Sequence, residues 1–251
     1  MLTPVQSRFS SAAATYESQA TLQAKLAHSL LDEIPDNRYP RILDVGCGTG
    51  LMSRQLGQRF PHSKILGIDP APGMIAHAQN QPASDLLQFE CHDLTSLPDQ
   101  GPFDLLVSNS ALHWCPDFSA MLARLKHFLS GPAFLNLFGP DSYSELAQLM
   151  GQHFQQEIRL PAQSFLGPEA LQVYLERHFP KFHITQTYFQ QSFPNTKALL
   201  SHLKYTGTQG PRLALTRIWT PYALSKLDDL FLEQYGQVQC TYQVIFIRIQ
   251  P

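Results

Sequence analysis

Paired cysteines are missing from this chain. Its four cysteines, Cys47, Cys91, Cys115 and Cys240, stand apart, with no C-x-x-C step and no spacing that suits a metal ion. A disulfide framework and a zinc site are thereby excluded, and buried thiols in a reducing compartment are expected. Charge is sparse as well: 15% of the 251 residues are charged and the formal net charge is −2. So small a net charge gives no whole-molecule pull on nucleic acid or on an anionic membrane, and neither is expected as a partner. No run approaches the roughly 18 to 20 apolar residues of a membrane span, and no apolar signal core follows Met1. Residues 1–16 are rich in serine and alanine and carry Arg8 before any acid, a composition shared with transit segments. Because they lead straight into a helical pattern, they are read as part of a mature, cytoplasmic protein. Internal repeats, low-complexity tracts and glycine-serine linkers are also absent, which argues against solenoids and tethered modules. What is present is 43% hydrophobic residues, ample for one large packed core.

The apolar pattern lays out the elements. Over residues 15–31, Leu22, Leu26, Ala27, Leu30 and Leu31 recur at helical spacing until Pro35 stops the run. Strands are then expected at 41–45, 64–68, 86–90, 103–108 and 133–138, alternating with helices at 51–59, 72–79 and 118–128. Such alternation implies right-handed crossovers and a parallel sheet covered on both faces. After Gly139 two helical patterns, 142–154 and 168–178, follow with no strand between them. Residues 183–189 and 241–249 alternate as strands, and 196–205 and 221–235 as helices. The expected fold is a single α/β domain over 1–251, a doubly wound, mostly parallel seven-stranded sheet. It divides into an N-terminal lid helix (1–38), a ligand-binding core (39–139), a helical cap over the ligand-binding edge (140–180) and a closing segment that completes the sheet (181–251).

The chemistry concentrates in Asp44-Val45-Gly46-Cys47-Gly48-Thr49-Gly50, where an apolar strand runs into a glycine turn and then a helix. Glycines at alternate positions leave no side chain between a ligand and the main chain. Asp69 ends the second strand about twenty residues on, where a carboxylate can accept both hydroxyls of a ribose. Dinucleotide sites favour G-x-G-x-x-G, so that a pyrophosphate rests on the helix N-terminus. Here the spacing is G-x-G-x-G and Asp44 precedes it. That acid would repel a pyrophosphate and attract an ammonium and a sulfonium, which favours S-adenosylmethionine. Asp93 and Leu94 follow the third strand, placed to meet an adenine amino group and ring. Residues 108–114, including Asn109, His113 and Trp114, follow the fourth and face the expected sulfur position. The expected cofactor set is Asp44, Gly46, Cys47, Gly48, Gly50, Asp69, Pro70, Met74, Asp93, Leu94 and Asn109, with no metal ligand.

On these motifs the chain resembles the class I methyltransferases. Residues 9–17 (FSSAAATYE), 108–115 (SNSALHWC), 203–208 (LKYTGT) and 241–246 (TYQVIF) further resemble the malonyl-acyl-carrier-protein O-methyltransferases of biotin synthesis, the BioC family. The likeness covers nearly the whole chain. It departs at His113, where such proteins often have glutamine, and is loose over 152–181. The resemblance implies methyl transfer to the free carboxylate of a malonyl thioester held on acyl carrier protein. It places Tyr16 in a lid over the cofactor, and Tyr16, Lys204 and His113 are the candidates for holding the acceptor. Acyl carrier proteins are acidic, so Lys197, Lys204, Arg212 and Arg217 form a candidate docking patch. A malonyl carboxylate is ionised at neutral pH and needs no general base, so no catalytic triad is sought. Other readings stay open: a small carboxylic acid such as aconitate or a quinone precursor as acceptor, a nicotinamide-dependent dehydrogenase, and a non-catalytic assembly factor on the same fold.

Overall fold

A computed structural model describes residues 2–206 and 219–250. Two helices open the chain, α1 (Pro4–Gln19) and α2 (Thr21–Glu33). Alternation follows: β1 (Arg41–Val45), α3 (Leu51–Arg59), β2 (Lys64–Ile68), α4 (Pro72–Gln79), β3 (Leu87–Glu90), β4 (Leu105–Asn109), α5 (Phe118–Phe128) and β5 (Ala133–Phe138). The remainder is α6 (Ser144–Phe154), α7 (Pro168–His178), β6 (Lys181–Phe193), α8 (Thr196–Tyr205), α9 (Pro221–Tyr235) and β7 (Val238–Gln250). Seven strands form one sheet in the order β3-β2-β1-β4-β5-β7-β6. β1 to β5 pair in parallel, and β7 slots antiparallel between β5 and β6. This is the expected doubly wound sheet, mostly parallel with an antiparallel edge.

The strand order reverses between β1 and β4, and a crevice opens there at the carboxyl ends of the strands, as in other open α/β sheets. Residues buried on alternating sides of β1 show how it is made. Ile42 joins Ile65, Val107 and Phe134 under Leu30, Leu56 and Ile75 on one face. Leu43 joins Leu66, Leu106 and Leu135 under Leu122, Phe128 and Leu175 on the other. Central strands covered twice read as nearly unbroken apolar runs, which is why they stood out in the sequence.

Two regions differ from expectation. The single helical pattern over 15–31 is broken at Ala20, whose backbone (φ −82, ψ 46) leaves helical geometry. Alanine is a strong helix former, so tertiary packing sets the break. α1 lies against α4 and α8 while α2 lies against α3, β4 and β5, and one straight axis does not serve both. The helix also begins earlier, at a Thr3 cap that accepts from the Gln6 N–H while Gln6 answers in a capping box, with Pro4 in the first turn. The second difference is the cap. α6 packs on α9 and β7, and α7 packs on α5 and β6, because the leucines of α7 belong to the sheet's own core. Within 140–180, Phe165 reaches the crevice through its ring contact with Trp114.

α1 sits on α4 at a point of close backbone approach. A Cβ on Gly73 would lie 2.5 Å from the Ser10 carbonyl oxygen, and the Gly73 N–H donates to Ser10 Oγ at 3.2 Å. Gly73→Val is expected to push α1 off α4 and expose Arg8 to trypsin at least about tenfold faster, while the core melts within a few degrees of wild type. Timed proteolysis beside a thermal melt checks this, and an unchanged cleavage rate at Arg8 would contradict it.

Candidate active site

The turn after β1 is built to leave main chain bare. Gly46, Gly48 and Gly50 have φ of 72, 54 and 85. A Cβ on Gly46 would fall 2.2 Å from that of Ala111, so the turn closes tightly on the loop after β4. A Cβ on Gly48 would meet nothing within 4 Å, so that side of its main chain faces open space. The Gly48 and Ala71 N–H groups donate to Asp69 Oδ2 and Oδ1 at 3.0 and 2.8 Å, which fixes that carboxylate while each oxygen keeps a free lone pair. Asp44 Oδ2 accepts from Ser53 Oγ at 2.5 Å. Its Oδ1 is closed to solvent and has no partner among the described residues.

Two adjoining cavities flank this turn. The larger, about 370 Å³, is lined by Gly46, Gly48, Asp69, Pro70, Met74, Asp93, Leu94 and Asn109, and α1 roofs it with Val5, Phe9 and Tyr16. The smaller, about 50 Å³, is lined by Asp44, Gly46, Cys47, Gly48 and Asn109, with Tyr16 again at its rim. All the expected cofactor residues except Gly50 therefore meet in one place. Gly50 lines neither cavity; its left-handed backbone starts α3, where a Cβ would strike Phe89. Asp93 divides its use: Oδ1 accepts from the Thr95 N–H and hydroxyl at 2.8 and 2.7 Å, capping the short helical turn Leu94–Ser96, while the residue also lines the larger cavity.

The acceptor candidates separate. Tyr16 borders both cavities. His113 lies behind the wall: its ring centroid is 5.3 Å from Trp114, 5.2 Å from Phe138 and 4.6 Å from Phe165. The Phe138 N–H donates to His113 Nδ1 at 3.3 Å, so the proton sits on Nε2, which is enclosed and without a partner among the described residues. Lys204 lines neither cavity. It is solvent-exposed with its ammonium 5.8 Å from the Tyr205 ring, because helix phase turns it about 100° away from the buried Leu203. Lys197 is exposed on the same helix, and Arg212 and Arg217 lie outside the described residues.

One positioning residue escaped the sequence reading. Asn136 on β5 is 0% exposed. Its Oδ1 accepts from both the N–H and hydroxyl of Ser110 at 2.8 and 2.9 Å, and its Nδ2 donates to Asn109 Oδ1 at 2.8 Å. Asn109 Nδ2 in turn donates to the Gln23 carbonyl at 3.0 Å, tying α2, β4 and β5 around the crevice and holding Ser110 at φ 55. A lone amide in the apolar run AFLNLF was the available signal.

Burial dominates the electrostatics. It pushes Asp44 up to about 7, with the Asp69 charge adding to the rise and the Ser53 hydrogen bond opposing it. It lifts Asp69 to about 6 and holds His113 down to about 3, so that imidazole stays neutral across the physiological range. Tyr16 is raised by burial and then by Asp69, and keeps its phenolic proton.

Comparison with known proteins agrees. A methyltransferase domain family matches residues 42–131. The malonyl-[acyl-carrier protein] O-methyltransferase of Bacillus anthracis is 30% identical over 98% of this chain and 96% of its own. The chain belongs to that O-methyltransferase family. A shorter likeness, 46% identity over 39% of this chain and 37% of the other, links it to trans-aconitate 2-methyltransferase of Deinococcus radiodurans. In fold it is similar to magnesium protoporphyrin IX methyltransferase of Synechocystis PCC 6803 with bound S-adenosylhomocysteine, at a TM-score of 0.54, 16% identity, 93% of this chain and 84% of that one.

The O-methyltransferase takes S-adenosylmethionine as its methyl donor, and the residues fit it. The bare side of Gly48 would admit the donor, Asp69 would offer lone pairs to its ribose hydroxyls, and Asp44 Oδ1 would accept from its cationic N–H. Donor binding should therefore release a proton. An Asp44 carboxyl raised to about 7 is largely protonated below that pH, and a bound cation draws it back to the charged form. Calorimetry with S-adenosylhomocysteine is expected to show affinity falling by up to about tenfold per pH unit as pH drops below about 7. Asp44→Asn should bind more weakly and with a flatter profile. A wild-type affinity independent of pH between about 5 and 8 would contradict the role of Asp44.

Proposed function

We propose that the methyl acceptor is the free carboxylate of a malonyl thioester carried by acyl carrier protein. The observation that carries this reading is the charge of the larger cavity: among its described lining residues are Asp69 and Asp93 but no lysine or arginine. A tricarboxylate such as aconitate would need several cationic partners there to offset its desolvation. A single carboxylate on a slender arm needs only neutral donors, against a wall of Val5, Phe9, Leu112 and Trp114. A phenolic quinone precursor would need a base, and His113 at about 3 is a very weak one.

In this reading the carboxylate oxygen attacks the sulfonium methyl in line, and the chain's part is to align, shield and hold. Phe9 and Phe165 flank Trp114 at 5.7 and 5.1 Å and keep water from the reacting atoms. The Tyr16 hydroxyl, on the residue that borders both cavities, serves as a neutral donor to the acceptor's oxygens, orienting the carboxylate without neutralising it, while His113 backs the wall behind Trp114. The carrier protein's acidic surface would meet α8, where Lys197 and Lys204 are both exposed and which packs on the roof helix α1. Four free cysteines suit a cytoplasmic enzyme.

Side-by-side turnover of malonyl-acyl carrier protein, malonyl-CoA, trans-aconitate and a demethylated quinone is the deciding assay. The carrier-bound thioester is expected to give the highest kcat/KM, and faster turnover of aconitate or quinone would overturn the assignment. Tyr16→Phe, which removes only the hydroxyl from the residue bordering both cavities, should lower kcat by about tenfold. Equal kcat in wild type and Tyr16→Phe would remove the Tyr16 hydroxyl from the acceptor site.

A further inference from the structure

The smaller cavity holds two oxygens in the same predicament. Asp44 is 1% exposed and Gln23 5%, and both line this cavity beside Gly46, Cys47 and Thr49. Asp44 Oδ1 and Gln23 Oε1 are each closed to solvent and accept no hydrogen bond among the described residues. A buried acceptor without a donor costs free energy, and two of them bordering one small space point to a ligand that brings several N–H groups together.

Gln23 is held in place for this. It sits on the buried stripe of α2 between Leu22 and Leu26, where an apolar residue would pack at no polar cost. Its carbonyl accepts from Asn109 Nδ2, so its position on α2 is fixed against the end of β4 and, through Asn136, against β5. We propose that Gln23 Oε1 and Asp44 Oδ1 together receive the ammonium of the donor's amino-acid end, Asp44 supplying charge and Gln23 supplying direction. This rests on the assignment of S-adenosylmethionine as donor and adds a recognition residue from outside the glycine turn.

The neutral amide also answers an electrostatic problem. Asp44 already carries the repulsion of Asp69. A third carboxylate at position 23 would raise both further and favour protonation over cation binding, whereas an amide oxygen adds an acceptor without adding charge.

Calorimetry with three ligands tests this: S-adenosylhomocysteine, its desamino counterpart, and 5′-methylthioadenosine, which lacks the whole amino-acid end. Wild type is expected to bind the desamino ligand at least about tenfold more weakly than S-adenosylhomocysteine. Gln23→Met should lose about tenfold for S-adenosylhomocysteine, yet bind methylthioadenosine and the desamino ligand within about twofold of wild type. Equal wild-type affinity for S-adenosylhomocysteine and its desamino counterpart overturns the proposal, and this needs no variant to fold. Equal weakening of all three ligands by Gln23→Met also overturns it, since Gln23 would then serve only the scaffold. Failure of wild type to bind any of the three would instead remove the donor assignment itself.

Discussion

Two carboxylates stand at the carboxyl ends of neighbouring parallel strands, Asp44 within β1 and Asp69 just past β2, and the rest of the crevice is arranged around keeping them there. For Asp44, the rise from 3.8 to about 7 corresponds to roughly 4 kcal/mol against its charged form. A cost of that order persists in a fold only where something else recovers it. Asp69 recovers part through the Gly48 and Ala71 N–H groups, whereas Asp44 has Ser53 on one oxygen and nothing on the other. Near neutral pH that carboxyl therefore divides between charged and protonated forms, and a cation beside Oδ1 would draw it to the charged one.

That demand explains the neighbours. The turn must present main chain rather than side chains, so Gly46 meets Ala111 directly and Gly48 faces open space. The loop after β4 must in turn be stiff enough to take that contact, and Asn136 stiffens it by receiving two bonds from Ser110 and giving one to Asn109. A buried amide network of this kind is favourable only when its members are satisfied. Here it is completed by the Gln23 carbonyl, so α2 is fastened to the strand ends by the same chain of bonds that shapes the donor site.

How far the sequence revealed this depends on range. The strands of the parallel core were legible because burial on both faces makes RILDV, KILGI and LLVSN nearly unbroken apolar runs. The glycine turn and its two acids were legible because they are local in the chain. The break at Ala20 was not, since the residue itself favours helix and only packing against separate elements turns the axis. Lys204 looked like an acceptor contact from its neighbourhood in sequence, but helix phase turned it to solvent while Leu203 took the core. Gln23 and Asn136 were invisible for another reason. Each is a single amide in an apolar pattern, and its meaning comes from atoms on other elements, Asn109 and Asp44 for one and Ser110 for the other.

The roof helix brings these constraints together. Tyr16 borders both cavities, and Phe9 and Val5, about two and three turns earlier on α1, form part of the apolar wall of the larger. Donor cover and acceptor wall are therefore parts of one rigid element, seated through the close approach of Ser10 to Gly73 and the small buried face of Ala12 and Ala13. That seat is extended by Phe9 and Tyr16 packed against Ala13, Ala71 and Met74, by the Phe9–Trp114 ring contact at 5.7 Å and by the Glu17–Arg54 ion pair at 2.8 Å, so α1 is fastened along its length. Because the same helix borders both cavities, neither is complete unless α1 is docked. Its docking through Tyr16 is strengthened by whatever fills the space beside Asp69. A change in the seat at Gly73 therefore bears on both cavities at once, since the helix it positions carries Tyr16 at one end and the apolar wall at the other.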